Sequence, residues 1–173
     1  MNQMIAKTAE KTSVKLFKSA VDLDKDTREH MVVILRQEMA DIFDLYSQTK
    51  QAHWNVKGPY FFTLHELFDT LAGNVLPFVD LLAERITAMG GEARGTLRMA
   101  GDETRLPEYP DDVYDGIEVV KVVLERFTHA ANTVREAIDL ASEAGDQSTA
   151  DVFTEISREL DKSLYFLQSY VQL

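Results

Sequence analysis

The chain has 173 residues, no cysteine and a net charge of −11, a length that suits one domain burying about 70% of its unfolded surface. The missing cysteines exclude disulfides, thiolate metal sites and cysteine nucleophiles; no apolar run reaches membrane-spanning length, so a cytoplasmic protein with no membrane partner is expected. The acidity disfavours a folded surface that grips nucleic acid and suits one that draws in cations.

In chain order, the first element is a tail over residues 1–22, expected to be mobile, where Lys7, Lys11, Lys15 and Lys18 face only Glu10. A basic arm on an acidic body is a candidate DNA-binding segment, although Val14, Leu16 and Phe17 give it an apolar stretch able to dock on the domain. Residues 23–173 then read as helices. The first is expected from Thr27 to Asn55, with Val32, Leu35, Met39, Ile42, Tyr46 and Thr49 on one stripe that continues to His53. The second spans Leu64 to Met89, opened by a capping-box pattern at Thr63 and Glu66 and closed by Gly90-Gly91. Its core stripe is Leu64, Phe68, Leu71, Val75, Phe78, Leu82 and Met89, and Pro77 in its middle is expected to kink it. The third follows Asp111-Asp112 and ends at Gly145; the fourth starts after Ser148 and buries Phe153, Ile156, Leu160, Leu164, Leu167 and Val171. Two helix connections are short. About twenty residues separate the second helix from the third, with a short helix expected near Thr96 to Ala100, so the pattern predicts an all-α four-helix bundle with one long crossover, the topology of ferritin-like folds.

The chemistry is concentrated in the second helix and the end of the first. His65 and Asp69 are i,i+4, as are Asp80 and Glu84, so each pair shares a helix face. Antiparallel packing across a short connection brings His53 near His65 and Asp69. Asp80 and Glu84 lie roughly 16 to 22 Å further along at a 1.5 Å rise, so one chain cannot close a site from all five. A second copy packed antiparallel on the same stripe would, and a twofold dimer would hold two shared sites. Imidazole with carboxylates suits Fe(II) and also accepts Zn, Mn or Co. Solvated surface pairs are the competing reading of each pair taken alone. No Glu-x-x-His motif occurs, which disfavours a di-iron centre inside one bundle. His30 and His129 have no acidic partner at ligand spacing and are assigned no function.

The segments Lys50–Gly58, Leu64–Asp69 and Asp80–Ile86 resemble the Dps family, the DNA-binding proteins from starved cells or miniferritins, and the resemblance runs from the first long helix to the last. It implies a ferroxidase centre between twofold-related subunits of a hollow dodecamer, with His53, His65 and Asp69 from one subunit and Asp80 and Glu84 from another. It further implies that paired Fe(II) is oxidised by hydrogen peroxide in preference to dioxygen and stored as ferric mineral, with zinc as an alternative occupant of part of the site. Trp54 matches the family's tryptophan beside the centre, which is implied to intercept stray oxidising equivalents. By position Asp146, Asp151 and Glu155 match the family's ion-entry pore, with helix capping as the competing reading. The alternative function is a nucleoid protein that compacts DNA through its basic tail; a helical scaffold that never binds iron is a third.

Overall fold

A computed structural model describes residues 14–172, which form five helices: α1 Lys25–Asn55, α2 Phe61–Ala88, α3 Leu97–Glu103, α4 Gly116–Glu143 and α5 Gln147–Gln168. The four long helices make the bundle. Helix α1 packs along α2 and α4 along α5, and contacts of α1 with α4 and of α2 with α5 close it. The short α3 lies on α1 within the crossover. The expected stripe of α2 is buried throughout, and Phe68, Phe127 and Phe153 are the largest fully buried side chains. Burial of such rings and their aliphatic neighbours supplies most of the stabilisation, at ~25 cal/mol per Å² of apolar surface. Pro77 stands inside α2, which is continuous through it.

Helix α1 begins two residues before expectation, at Lys25 under an Asp24 cap, and the other three long-helix starts also differ, each because a different group satisfies the free N–H donors. Helix α2 begins at Phe61, and no side chain caps it. Gly58, at φ 103, turns the chain so that its carbonyl accepts from Phe61 and the Tyr60 carbonyl from Leu64, leaving Thr63 exposed within the first turn. The Lys57 N–H meets the Tyr114 carbonyl at 2.8 Å, tying this turn to the end of the crossover. Helix α4 is capped by Asp115, whose carboxylate accepts from Ile117 and Glu118, while Asp112 takes a left-handed conformation in the preceding turn. Helix α5 begins at Gln147 with Asp146 as its cap.

The segment before α1 is packed against the bundle from Val14 onward. Val14 and Leu16 lie on the core, the Phe17 N–H donates to the Gly90 carbonyl at 2.7 Å, and the Ser19 hydroxyl donates to the Ala88 carbonyl at 2.6 Å. A Cβ on Gly90 would collide with the Phe17 carbonyl, and its φ of 88 also calls for glycine. Lys15 stacks over the Phe17 ring and Lys18 is exposed. Lys7 and Lys11 lie outside the described residues.

Candidate metal centre

His53, in the last turn of α1, and His65, in the second turn of α2, face each other across the antiparallel pair. Each ring reaches the other helix's backbone: His53 Nδ1 lies 2.7 Å from the His65 carbonyl and His65 Nδ1 lies 2.9 Å from the His53 carbonyl. A carbonyl oxygen only accepts, so Nδ1 is the protonated nitrogen in both rings, and in the neutral tautomer both Nε2 lone pairs are free. The rings stack with centroids 3.8 Å apart, and Phe61 leans on His65 at 5.3 Å. This is the arrangement a metal-binding imidazole needs, with its outer nitrogen oriented by a backbone acceptor.

Asp69, one turn beyond His65, places Oδ1 3.9 Å from His53 Nε2. The same oxygen receives a hydrogen bond from Lys50 Nζ at 2.5 Å, and this bond, more than any other influence, holds the carboxyl below the usual carboxylate range. Lys50 is a functional neighbour that the sequence did not reveal. It lies on α1 one turn before Trp54, with its ammonium 5.8 Å from the indole centroid, and its partner carboxylate is 19 positions away on another helix. Trp54 itself is 65% exposed, as expected of a ring that something further is to cover or to reach.

Asp80 and Glu84 are exposed further along α2, and neither side chain bonds or pairs with another described residue. Among the described residues no three His, Asp or Glu groups of the single chain converge closely enough to hold a metal ion. Between the two halves the exposed line of α2 runs through Gly73, Leu76 and Pro77. A Cβ on Gly73 would meet nothing in this chain. Beside that line, Met39, Phe43, Leu76, Val79 and Ala83 form an apolar groove of 490 Å³ with Asp80 at its rim.

The three acidic residues at the start of α5 divide. Asp151 and Glu155 are exposed. Asp146 is 3% exposed and engaged in structure: it accepts from the Thr149 N–H at 3.1 Å, from the Thr149 hydroxyl, and from Arg85 Nη2 of α2 at 2.7 Å. Burial works to raise its carboxyl, and the bonds from Thr149 and Arg85 outweigh that and lower it. Asp146 is therefore a helix cap and ion-pair partner, which is the capping reading of the two the sequence offered and not the pore reading. His30 is exposed, and His129 is half-buried with an unpartnered Nε2. No helix among the described residues is long and apolar enough to cross a membrane.

Comparison with known proteins gives a consistent result. Residues 32–173 match the family model described as a ferritin-like domain. The chain is 43% identical over 159 residues to the DNA protection during starvation protein of Agrobacterium fabrum, covering 92% of this chain and 98% of the relative. It is similar in structure to DpsC from Streptomyces coelicolor, with a TM-score of 0.86 at 29% identity over 91% of this chain and 92% of that one. A Dps protein from Bacillus brevis gives a TM-score of 0.80 at 32% identity over 86% and 99%.

Proposed function

The chain belongs to the Dps branch of the ferritin-like family, and from that premise we propose that it is a ferroxidase that stores iron and removes peroxide. Fe(II) is its substrate, bound between two copies of the chain: His53, His65 and Asp69 come from one copy, Asp80 and Glu84 from the other. The observation that carries this reading is the reciprocal histidine pair, which leaves two oriented Nε2 donors with no hydrogen-bond partner among the described residues beside the exposed carboxylate of Asp69. The unengaged Asp80 and Glu84 supply what is missing, because the positions of the candidate ligands on the α2 line are spaced symmetrically about a point between Gly73 and Leu76. A twofold axis there sets Asp69 against the second copy's Asp80 and His65 against its Glu84, and Gly73 lets the two helices approach.

Hard carboxylate oxygens favour Fe(III) over Fe(II), which drives oxidation, and the imidazoles fix the geometry. Two Fe(II) each give one electron to one hydrogen peroxide, whose O–O bond breaks to give two hydroxide ions, so no free hydroxyl radical forms. Lys50 leaves Asp69 or swings aside as the divalent substrate arrives. Twelve such copies around a cavity would collect the ferric product, with Asp151 and Glu155 as candidate groups along an entry channel, and zinc would compete for the same donors.

The second reading is DNA binding by the tail. It draws support from the names of the relatives and from Lys7 and Lys11; Lys15 lies against Phe17 on the packed strap and is a weaker contributor. DNA protection also follows from the first reading alone, since removing peroxide and Fe(II) together removes the reagents that cut DNA.

The deciding experiment loads the protein anaerobically with Fe(II), adds hydrogen peroxide and follows ferric absorbance by stopped flow. Fast oxidation in the wild type, lost in both His53→Ala and Asp80→Ala, is expected. Equal slow traces in all three overturn the proposal.

A further inference from the structure

A second polar cluster lies under the crossover, at the middle of α1 and more than three turns before His53. Glu38 and Asp41 are 2% and 0% exposed, and both turn toward Arg105. The guanidinium Nη2 donates to Glu38 Oε1 at 2.5 Å and to Asp41 Oδ2 at 2.6 Å, and Nε donates to Asp41 Oδ2 at 2.8 Å. Asp41 also accepts the Arg105 backbone N–H at 2.7 Å and the Thr104 hydroxyl at 3.3 Å. Glu38 has less. Besides Arg105 it accepts only from the Thr133 hydroxyl of α4, at 3.1 Å.

Two buried carboxylates thus share one guanidinium, whose side chain is 39% exposed. One negative charge is in excess where water does not reach, and the less supported carboxylate is the one that takes a proton. Burial pushes Glu38 up to about 7; Arg105 opposes the shift and Asp41 adds to it. Among charged groups, Arg105 of the crossover and Asp41 of its own helix face Glu38. His129 shares the α4 face of Thr133 one turn earlier, and Asp44, which burial also raises, accepts from the Thr104 hydroxyl at 3.0 Å; these are the other titratable side chains close to the cluster.

We infer that Glu38 is a proton-operated latch on the crossover: protonated, it keeps the segment 104–109 clamped on α1, and ionised, it favours local opening that lets its carboxylate reach water. This segment, with α1, walls a cavity of 640 Å³ lined by Asp44, Gln51, Trp54, Glu108 and Tyr109 among others. Opening therefore widens a space that Trp54, beside the candidate metal centre, also lines. The sense follows from linkage. A carboxyl raised in the closed state stabilises closure fully below its ordinary value near 4.5, and that stabilisation is lost as pH rises through about 7. Between those limits the opening equilibrium grows by roughly tenfold per pH unit, and above them it levels off.

The test is hydrogen exchange of the crossover in the full-length assembled protein from pH 5 to 8, read by mass spectrometry and corrected for intrinsic exchange. The wild type is expected to open progressively up to about pH 7 and then level, Glu38→Gln to stay slow and flat, and His129→Gln to follow the wild type. A slope that persists in Glu38→Gln, or that disappears in His129→Gln, overturns the latch. Should Glu38→Gln fail to fold, infrared titration of the wild type decides. A buried protonated carboxyl band that disappears with a midpoint near 7 supports the latch, and its absence at pH 6 refutes it.

Discussion

The two polar clusters on α1 and α2 use similar side chains to opposite ends. Under the crossover, Glu38 and Asp41 are almost fully enclosed and their oxygens are engaged by Arg105, Thr104 and Thr133. At the candidate metal centre, His53 and His65 use one nitrogen each on structure and leave the other free, while the Asp80 and Glu84 side chains have no partner among the described residues. Buried polar groups must be satisfied internally; exposed ones need not be. The donors a fold leaves unengaged, yet holds in fixed orientation, therefore mark where a substrate or a second copy belongs.

This contrast is broken most directly by separating the halves of the metal centre. Single substitution of His53 or Asp80 to alanine should lower peroxide-driven Fe(II) oxidation by ~100-fold or more, beyond the loss usual for an outer-shell partner of a metal ligand. Mixing the two inactive variants by co-refolding should then restore activity to about a quarter of wild type, since half of random dimers are hybrids and each hybrid rebuilds one of its two sites. No recovery in verified hybrids would mean that the five residues do not form a shared site.

The buried cluster should answer in stability and not in turnover. Arg105→Ala leaves two enclosed carboxylates without their cation and is expected to cost about 3 kcal/mol, the lower end for a broken buried pair because water reaches part of Arg105. Denaturant unfolding reads the loss, with peroxide turnover of the folded fraction unchanged. A fall in turnover per folded site would show that the two clusters are not independent.

The smallest expected effect is the sharpest probe of the centre itself. Lys50→Met removes the cation that sits on Asp69 and should tighten Co(II) binding, measured by calorimetry in the absence of oxidant, by about tenfold or less, as befits an ion pair with an exposed partner. Unchanged affinity would mean that Asp69 takes no part in metal binding.

The bundle was legible because α2 carries one uninterrupted apolar stripe, Leu64 through Met89, and because glycines punctuate the helix ends at Gly90 and Gly145. The helix starts were less so. Thr63 and Glu66 fit a capping box, yet Gly58 and Pro59 turn the chain so that the helix starts three residues earlier, which leaves that box nothing to cap. Of the aspartates near α4, only Asp115 has its carboxylate against free N–H groups, a fact of backbone path that composition does not encode. The five ligand candidates were legible from spacing within helices. Lys50, Arg85 and Arg105 were not, since each finds its carboxylate in a part of the chain between 19 and 67 positions away, and local periodicity says nothing about such pairs. For Asp146 the capping alternative was legible from its place before α5, whereas its ion pair with Arg85 of another helix was not.

The crossed histidine bonds carry a last consequence. Because each imidazole fastens one helix to the backbone of the next, the pair is a staple that exists before any ion arrives. Structural zinc sites work the other way, since their metal folds the protein and chelators denature it. Here a chelator should leave α1 and α2 joined, and under the proposed function the same two rings would serve each incoming pair of ions without refolding.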